Sequence, residues 1–211
     1  MFLSELFEST NKRNIVVVYP GRFQPFHQGH KAVFNHLCSA YGTANVFICT
    51  SSKVELPRSP FNFQEKLEMM KLTGINPASV VQSSQPYKAQ EITAKYDAAN
   101  TVLLFAVSQK DMADDPRFSF KPKKDGSPSY FQAIPTNLAQ AETLDKHAYI
   151  VTVPTFNFTV LGKPVQSSTE IRNQFSAVDE NTKKSIIKDL FGNYNDVVYN
   201  IMSAKITSNA Q

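Results

Sequence analysis

The sequence lacks several features that would place it in a special class of protein. No stretch approaches the roughly twenty consecutive apolar residues that a membrane span requires, and no run of Lys or Arg is longer than two residues. It has only two cysteines, Cys38 and Cys49, in neither a metal-binding spacing nor a secreted disulfide framework. We therefore expect a soluble cytoplasmic protein with two buried thiols, and neither a membrane nor a nucleic acid as its partner.

What the chain does contain is typical of one globular domain. Its 211 residues are 42% hydrophobic and include 16 Phe and 8 Tyr, enough to build a sizeable core. The formal charge is only +4. This mild excess is sufficient for a pocket that holds a polyphosphate, and it does not demand a polyanion-binding face.

One stretch near the start of the chain combines a buried strand with a candidate anion site. The β-branched run Ile15–Val18 predicts a strand that breaks at Pro20-Gly21, and a helix follows. Free backbone N–H groups and the helix dipole at such a junction attract phosphates. His27 and His30 stand where the helix would begin, and Gly29 permits close approach of a ligand. The apolar face of this helix comprises Val33, Phe34, Leu37, Cys38 and Tyr41.

The sequence of this junction, GRFQPFHQGH over residues 21–30, resembles that of the HxGH nucleotidyltransferase superfamily. Within it, the stretch is most similar to the adenylyltransferases that act on nicotinamide mononucleotide (NMN). A later stretch, Val165–Arg172 or VQSSTEIR, resembles the second signature of that family. Physically it is a helix start, where Ser167 or Ser168 caps the helix and the first N–H groups are able to bind phosphate oxygens.

The alternation of strands and helices predicts an α/β fold, a Rossmann-like doubly wound parallel sheet with helices on both faces and C-terminal helices. We expect an N-terminal helical segment over 1–14, a nucleotidyltransferase domain over 15–176 and packed C-terminal helices over 177–211. The predicted elements after the first helix are a strand over 44–50, a helix over 61–72, a strand over 80–83, a helix over 88–97, strands over 101–107 and 148–153, a small hairpin over 156–163 and two final helices.

The stretch 114–137 differs from its surroundings, because it has four prolines, three lysines and four aromatic residues and no regular pattern. Long loops of this kind are usually functional or mobile. It is either an insertion that lies over the site and selects the acceptor substrate or a surface excursion with its aromatic residues packed on the domain.

Lys110 and Asp111 follow the apolar strand 101–107, where ligands of open α/β sheets lie. The family usually has a Gly-x-Asp-like turn here, and this chain has Ser108 in place of the glycine. Asp111 is therefore either a nucleotide contact or a solvated turn residue.

The first ten residues predict a short amphipathic helix with Phe2, Leu3, Leu6 and Phe7 on one face. It is too short and too acidic for a signal peptide. The segment is either a helix docked on the domain or one that resembles the removable N-terminal segments of phage internal head proteins. In the second case Glu5 or Glu8 is the candidate cleavage position.

The resemblance implies transfer of a nucleotidyl group from a nucleoside triphosphate to a small phosphate-bearing acceptor, with Mg2+ accompanying ATP and with frequent assembly into homo-oligomers. NMN plus ATP giving NAD and pyrophosphate is the first expectation. It implies catalytic roles for His27, His30 and Arg172, and no metal ligands in the protein. The implied nucleotide-binding residues are Gly21, Arg22, Phe23, Lys53, Asp111, Ser167, Ser168 and Thr169.

Three alternatives remain at this stage. A cytidylyltransferase acting on a polyol or sugar phosphate would use the same layout. A metal site on His27 and His30 would need a third ligand, and His36 faces away on the helix. A non-catalytic, phage-encoded virion component would act in the host cytoplasm or the virion, although its two intact signatures argue against decay.

Overall fold

The computed structural model describes residues 13–113, 118, 120–165 and 167–206. These residues divide into two compact units, the first formed by the described residues of 13–20, 33–49 and 85–155 and the second by those of 21–32, 50–84 and 156–206. The strands are β1 (Asn14–Pro20), β2 (Val46–Thr50), β3 (Val80–Gln82), β4 (Thr101–Ser108), β5 (Phe131–Ala133), β6 (Ala148–Val153), β7 (Thr159–Val160) and β8 (Lys163–Pro164). The helices are α1 (Gln28–Tyr41), α2 (Phe63–Leu72), α3 (Gln90–Thr93), α4 (Gln109–Ala113), α5 (Ser168–Ser176), α6 (Glu180–Phe191) and α7 (Asp196–Lys205).

The strands form a six-stranded sheet in the order β3-β2-β1-β4-β6-β5, with β7 and β8 as a separate antiparallel hairpin. β1 pairs in parallel with β2 and β4, and β6 pairs in parallel with β4 and β5. The two central strands β1 and β4 are buried along almost their whole length, as their continuous apolar sequences require. The predicted Rossmann-like α/β fold with a parallel sheet and C-terminal helices is confirmed.

The first unit contains part of the stretch 114–137, and one expectation about that stretch is wrong. It is not devoid of regular structure, because Phe131–Ala133 forms the edge strand β5. Phe118 is buried, with its ring 4.8 Å from that of Phe131 and 5.6 Å from that of Tyr87. The aromatic side chains of Phe118 and Phe131 are therefore packed on the domain.

The second unit has its own apolar core, built by α2, β7 and the last three helices. The helix starts are well defined: Asn62 and Glu65 form a capping box on α2, and Asn195 caps α7. The Lys205 Nζ lies 3.2 Å from Glu65 Oε1, which links the end of α7 to the start of α2. The core residues are Phe61, Met69, Val160, Ile171, Phe175, Ile186, Ile187, Leu190, Phe191, Val198, Met202 and Ile206.

Other predicted elements need adjustment. The second strand begins at Val46 and not at Ala44, because Thr43–Asn45 is a turn of 3₁₀-helix. The helix expected over 88–97 is reduced to Gln90–Thr93, since the segment contains a residue with positive φ at Ala89 and ends in turns. Cys49 is buried as expected, whereas Cys38 is only half-buried.

The predictions for residues 1–12, including the N-terminal helix and the cleavage position at Glu5 or Glu8, lie outside the described residues. Within the described part of the chain, no helix is both long and apolar enough to cross a membrane.

Candidate active site

The loop after β1 is held in a conformation that depends on Gly21 and Phe23. Phe23 is buried and has a φ of +49°, in the left-handed region that non-glycine residues seldom adopt. Its ring folds back over Gly21 so closely that a Cβ at residue 21 would lie 2.6 Å from Phe23 Cζ. The packing of Phe23 on Gly21 therefore defines this turn, and a side chain at residue 21 would displace the Phe23 ring.

The two histidines lie next to each other at the start of α1. Their rings are stacked, with centroids 3.7 Å apart, and the His27 ring also stacks on that of Phe158 at 4.3 Å. The Nδ1 atom of each histidine is buried and has no hydrogen-bond partner. Because a buried Nδ1 is out of reach of a ligand, any hydrogen bond from these rings to a ligand would be made by Nε2.

Both histidines are held in the neutral form. Burial lowers the pKa of His30 to about 3. Burial also lowers the pKa of His27, and the neighbouring His30 adds to that effect. Each neutral imidazole carries one N–H group. The pair therefore suits hydrogen bonding to phosphate oxygens without a permanent charge.

We expect this arrangement to make the protein sensitive to acid. The unfolded chain binds a proton at His30 near the ordinary pKa of 6.5, whereas the folded chain does so only near a pKa of about 3. The unfolded state thus holds more protons between these values, so the free energy of unfolding decreases as the pH falls from about 6.5 towards 3. Urea titrations at pH 7 and pH 4.5 measure this decrease, which should be smaller for His30→Gln than for wild type.

The matched control for the acid effect is His36→Gln, since His36 is exposed on the same helix. It should lose as much stability on acidification as wild type does. An equal loss for wild type and His30→Gln would contradict a buried, neutral His30.

Gly29 lies close against the stack: a Cβ there would lie 3.0 Å from Phe158 Cδ1 and 3.1 Å from two atoms of the His27 ring, so these side chains would have to shift by a few tenths of an ångström. We expect Gly29→Ala to push His27 away from its stacked position and to lower kcat/KM by at least ~10-fold, since small misplacements of catalytic groups are costly. Steady-state kinetics measure the loss, and thermal melting shows that the variant is folded. Unchanged kinetics in Gly29→Ala would contradict a role for the stack.

The second signature forms the N-terminus of α5. Ser167 is the N-cap, and its Oγ accepts a hydrogen bond from the Glu170 N–H at 3.2 Å. Thr169 is exposed in the first turn, and Ser168 is half-buried. The sequence left Ser167 and Ser168 open as the cap, and the structure selects Ser167.

Arg172 joins the two signatures. It is 9% exposed, and its Nη1 donates to the Gln24 carbonyl at 2.7 Å and to the Ser168 carbonyl at 3.2 Å. Its Nη2 donates to Thr169 Oγ1 at 3.2 Å. Burial, and secondarily the charge of Arg22, lowers the pKa of Arg172 from its ordinary value. The guanidinium thus fixes the loop of residues 21–26 against the first turn of α5.

Two side chains that the sequence analysis did not single out complete the support of the loop. Gln24 is buried, and its amide both donates to the Phe61 carbonyl and accepts from the Phe61 N–H, at 2.9 and 2.8 Å. Lys66 is fully buried in α2 and donates to the carbonyl of Arg22. The signal for Lys66 was its spacing, since it shares a helical face with Phe63 and Met70.

The remaining predicted residues are described by their own surroundings. Arg22 and Lys53 are exposed, and Lys53 forms an ion pair with Glu55. Asp111 belongs to the first unit, where it is half-buried. Ser108 Oγ donates to Asp111 Oδ2 at 2.9 Å and accepts from the Asp111 N–H at 3.1 Å. The side chain of Lys110 lies outside the described part of the structure.

A metal site on His27 and His30 would need a third ligand. Among the described residues, no group of three or more His, Cys, Asp or Glu side chains is suitably placed for one. The rings are stacked at an interplanar angle of 26°. Since the lone pairs of imidazole lie in the ring plane, the two stacked rings direct their lone pairs along nearly parallel planes.

The chain is similar to several known proteins. The family model described as cytidylyltransferase-like matches residues 18–174. A segment of 68 residues, 30% of the chain, is 38% identical to nicotinamide-nucleotide adenylyltransferase 1 of Sulfolobus acidocaldarius and covers 39% of it. Another of 54 residues, 26% of the chain, is 39% identical to nicotinamide-nucleotide adenylyltransferase of Sulfurisphaera tokodaii and covers 31% of it. The chain thus spans less than two fifths of these curated relatives.

A solved structure supports the fold. The bifunctional NMN adenylyltransferase/ADP ribose pyrophosphatase of Francisella tularensis aligns with 91% of the chain and 49% of its own length, with a TM-score of 0.51 and 20% identity. At this identity the likeness concerns the fold.

Proposed function

Since the chain belongs to the cytidylyltransferase-like family, whose model matches residues 18–174, we propose that it is a nucleotidyltransferase. An oxygen of the acceptor phosphate attacks the α-phosphorus of a nucleoside triphosphate. A bond forms between that oxygen and the α-phosphorus, and the bond from the α-phosphorus to the β-bridging oxygen breaks. Pyrophosphate leaves with the electron pair, so no oxidant, reductant or covalent enzyme intermediate is needed.

The observation that carries the proposal is the 2.7 Å hydrogen bond from Arg172 Nη1 to the Gln24 carbonyl. It joins the loop of residues 21–26, which leads directly to the histidines, to the helix N-terminus that contains Ser167 and Thr169. The loop leads into the N-terminus of α1, and helix N-termini attract phosphates. Two anion-binding elements fixed to each other suit a ligand with several phosphates in a row.

We assign roles by chemistry. The acceptor phosphate is already ionised, so the protein does not need a general base. Catalysis then rests on alignment and on neutralising the charge that develops on the transferred and departing phosphates. His27 and His30 would donate from Nε2 to oxygens of the α- and β-phosphates, and Ser168 and Thr169 would bind the outgoing pyrophosphate.

The exposed cations have a supporting role in this proposal. Arg22 and Lys53 add positive charge where the triphosphate enters, and the loop backbone at Gly21 and Phe23 contributes to phosphate binding. Mg2+ would enter with the nucleotide, held mainly by phosphate oxygens and water as is usual for this ion.

ATP and NMN are the substrates we propose, with NAD as the product. The support is the similarity of this chain to segments of the two archaeal proteins named as nicotinamide-nucleotide adenylyltransferases. The family match gives no support to a non-catalytic virion component.

The test is pyrophosphate release by purified protein with Mg2+, crossing ATP and CTP with NMN, glycerol 3-phosphate and phosphopantetheine. Release with ATP and NMN alone is the expected result. Release that depends on CTP would replace the proposed substrates with those of a cytidylyltransferase. Absence of release from every pair, together with absence of ATP binding, would overturn the proposed activity.

A further inference from the structure

Lys66 is a fully buried cation for which the proposed chemistry has no direct use. It is 0% exposed and lies on the apolar face of α2. Its Nζ donates to Thr50 Oγ1 at 2.7 Å, to the Ser51 carbonyl at 2.5 Å and to the Arg22 carbonyl at 3.3 Å. The five ion pairs found among the described residues do not include it.

Burying an ammonium group with only neutral oxygen partners is expensive. Burial lowers the pKa of Lys66 to about 8, which expresses that cost. A methionine or leucine would fill the same space in the apolar face without this cost of burying a charge. The presence of a lysine at this position is therefore explained by the three hydrogen bonds that its ammonium group makes.

Those bonds fix the orientation of one peptide in the loop after β1. The Arg22–Phe23 peptide is trans, since the cis bonds in the described chain precede Pro25 and Pro57. In a trans peptide the C=O and the following N–H point in opposite directions. Because Lys66 draws the Arg22 carbonyl inwards, the Phe23 N–H is directed to the other side.

Lys66 and Arg172 hold the same loop at two points. Lys66 binds the carbonyl of Arg22, and Arg172 binds the carbonyl of Gln24. Lys66 also ties this loop to the end of β2 through Thr50 and Ser51. Two cations bound to alternate carbonyls fix the loop more firmly than one.

We propose that Lys66 is a positioning residue for nucleotide binding: its ammonium holds the Arg22–Phe23 peptide in the orientation that presents the loop to the triphosphate. This inference rests on the proposed function, which supplies the triphosphate as the ligand. The anchoring of the loop is measurable without any ligand, so the anchoring and the nucleotide binding are tested separately.

The experiment compares wild type with Lys66→Met and with the matched control Lys71→Met, which alters an exposed lysine on the same helix that is paired with Glu68. Hydrogen exchange followed by mass spectrometry reports on residues 21–24 in the absence of ligand, and calorimetry gives the Kd of Mg–ATP. We expect faster exchange in Lys66→Met and binding of Mg–ATP at least ~10-fold weaker, because a small misplacement of a binding group is costly. Lys71→Met should match wild type in both.

Each other outcome is decisive. A merely structural role for Lys66 would reduce the fraction of protein that binds ATP and leave the Kd unchanged, which overturns the inference, as does unchanged exchange at residues 21–24. Faster exchange in a protein whose wild type does not bind ATP overturns the proposed function and leaves the anchoring intact. If Lys66→Met does not fold, Lys66→Gln replaces it with the same expected directions, because its amide is too short to reach all three oxygens.

Discussion

His30→Ala should lower the turnover of nucleotidyl transfer by at least ~100-fold while the protein stays folded, because a positioned donor to a developing charge is worth about that much. The His30 ring stacks on His27 and meets the Phe23 ring edge-on at 5.0 Å. Removing it takes away one Nε2 donor and loosens the support of the other. Steady-state rates with saturating ATP and acceptor measure the effect.

The control for this experiment is His36→Ala, which alters an exposed histidine further along the same helix, α1. It should retain wild-type turnover. Near-normal turnover in His30→Ala, with a melting temperature similar to that of wild type, would contradict a catalytic role for His30.

Arg172→Met should have an effect of similar size, about 100- to 1,000-fold on kcat/KM. It removes the hydrogen bonds to the Gln24 and Ser168 carbonyls and so releases the loop from the first turn of α5. It also leaves the buried Gln24 carbonyl without this donor, which should lower the free energy of unfolding by about 1–3 kcal/mol. Kinetics and urea denaturation measure the two losses.

Arg172→Lys separates charge from geometry. An ammonium keeps the charge but cannot reproduce the planar fork that reaches Gln24 and Thr169 together. We expect it to recover only part of the lost kcat/KM. Full recovery would show that charge alone is required and would contradict the joining role of the guanidinium.

The sequence predicted the parts of this fold in which local pattern and burial agree. β1 and β4 are uninterrupted apolar runs, and such runs have few alternatives to a central parallel strand. The start of α5 was also predictable, since Ser167 and Glu170 form a recognisable helix cap. The segment that contains the two histidines was located because its sequence resembles that of a known family.

The features that sequence reasoning missed depend on contacts between distant residues. Strand β5 is three residues long and exists by pairing with β6, which no local pattern shows. Phe158 is distant in sequence from His27, yet it stacks on that ring. Lys66 was noticed only as part of a helix, because a lysine is normally expected in solvent.

The central claim is that an acceptor phosphate attacks the α-phosphorus of ATP. The most direct measurement is a reaction of the purified protein with Mg–ATP and NMN whose phosphate oxygens are labelled with ¹⁸O, followed by mass spectrometry of both products. The account predicts NAD that retains all the label, including the oxygen that bridges the two phosphates, and unlabelled pyrophosphate. Label in the pyrophosphate, or no dinucleotide from a protein that binds both substrates, would contradict it.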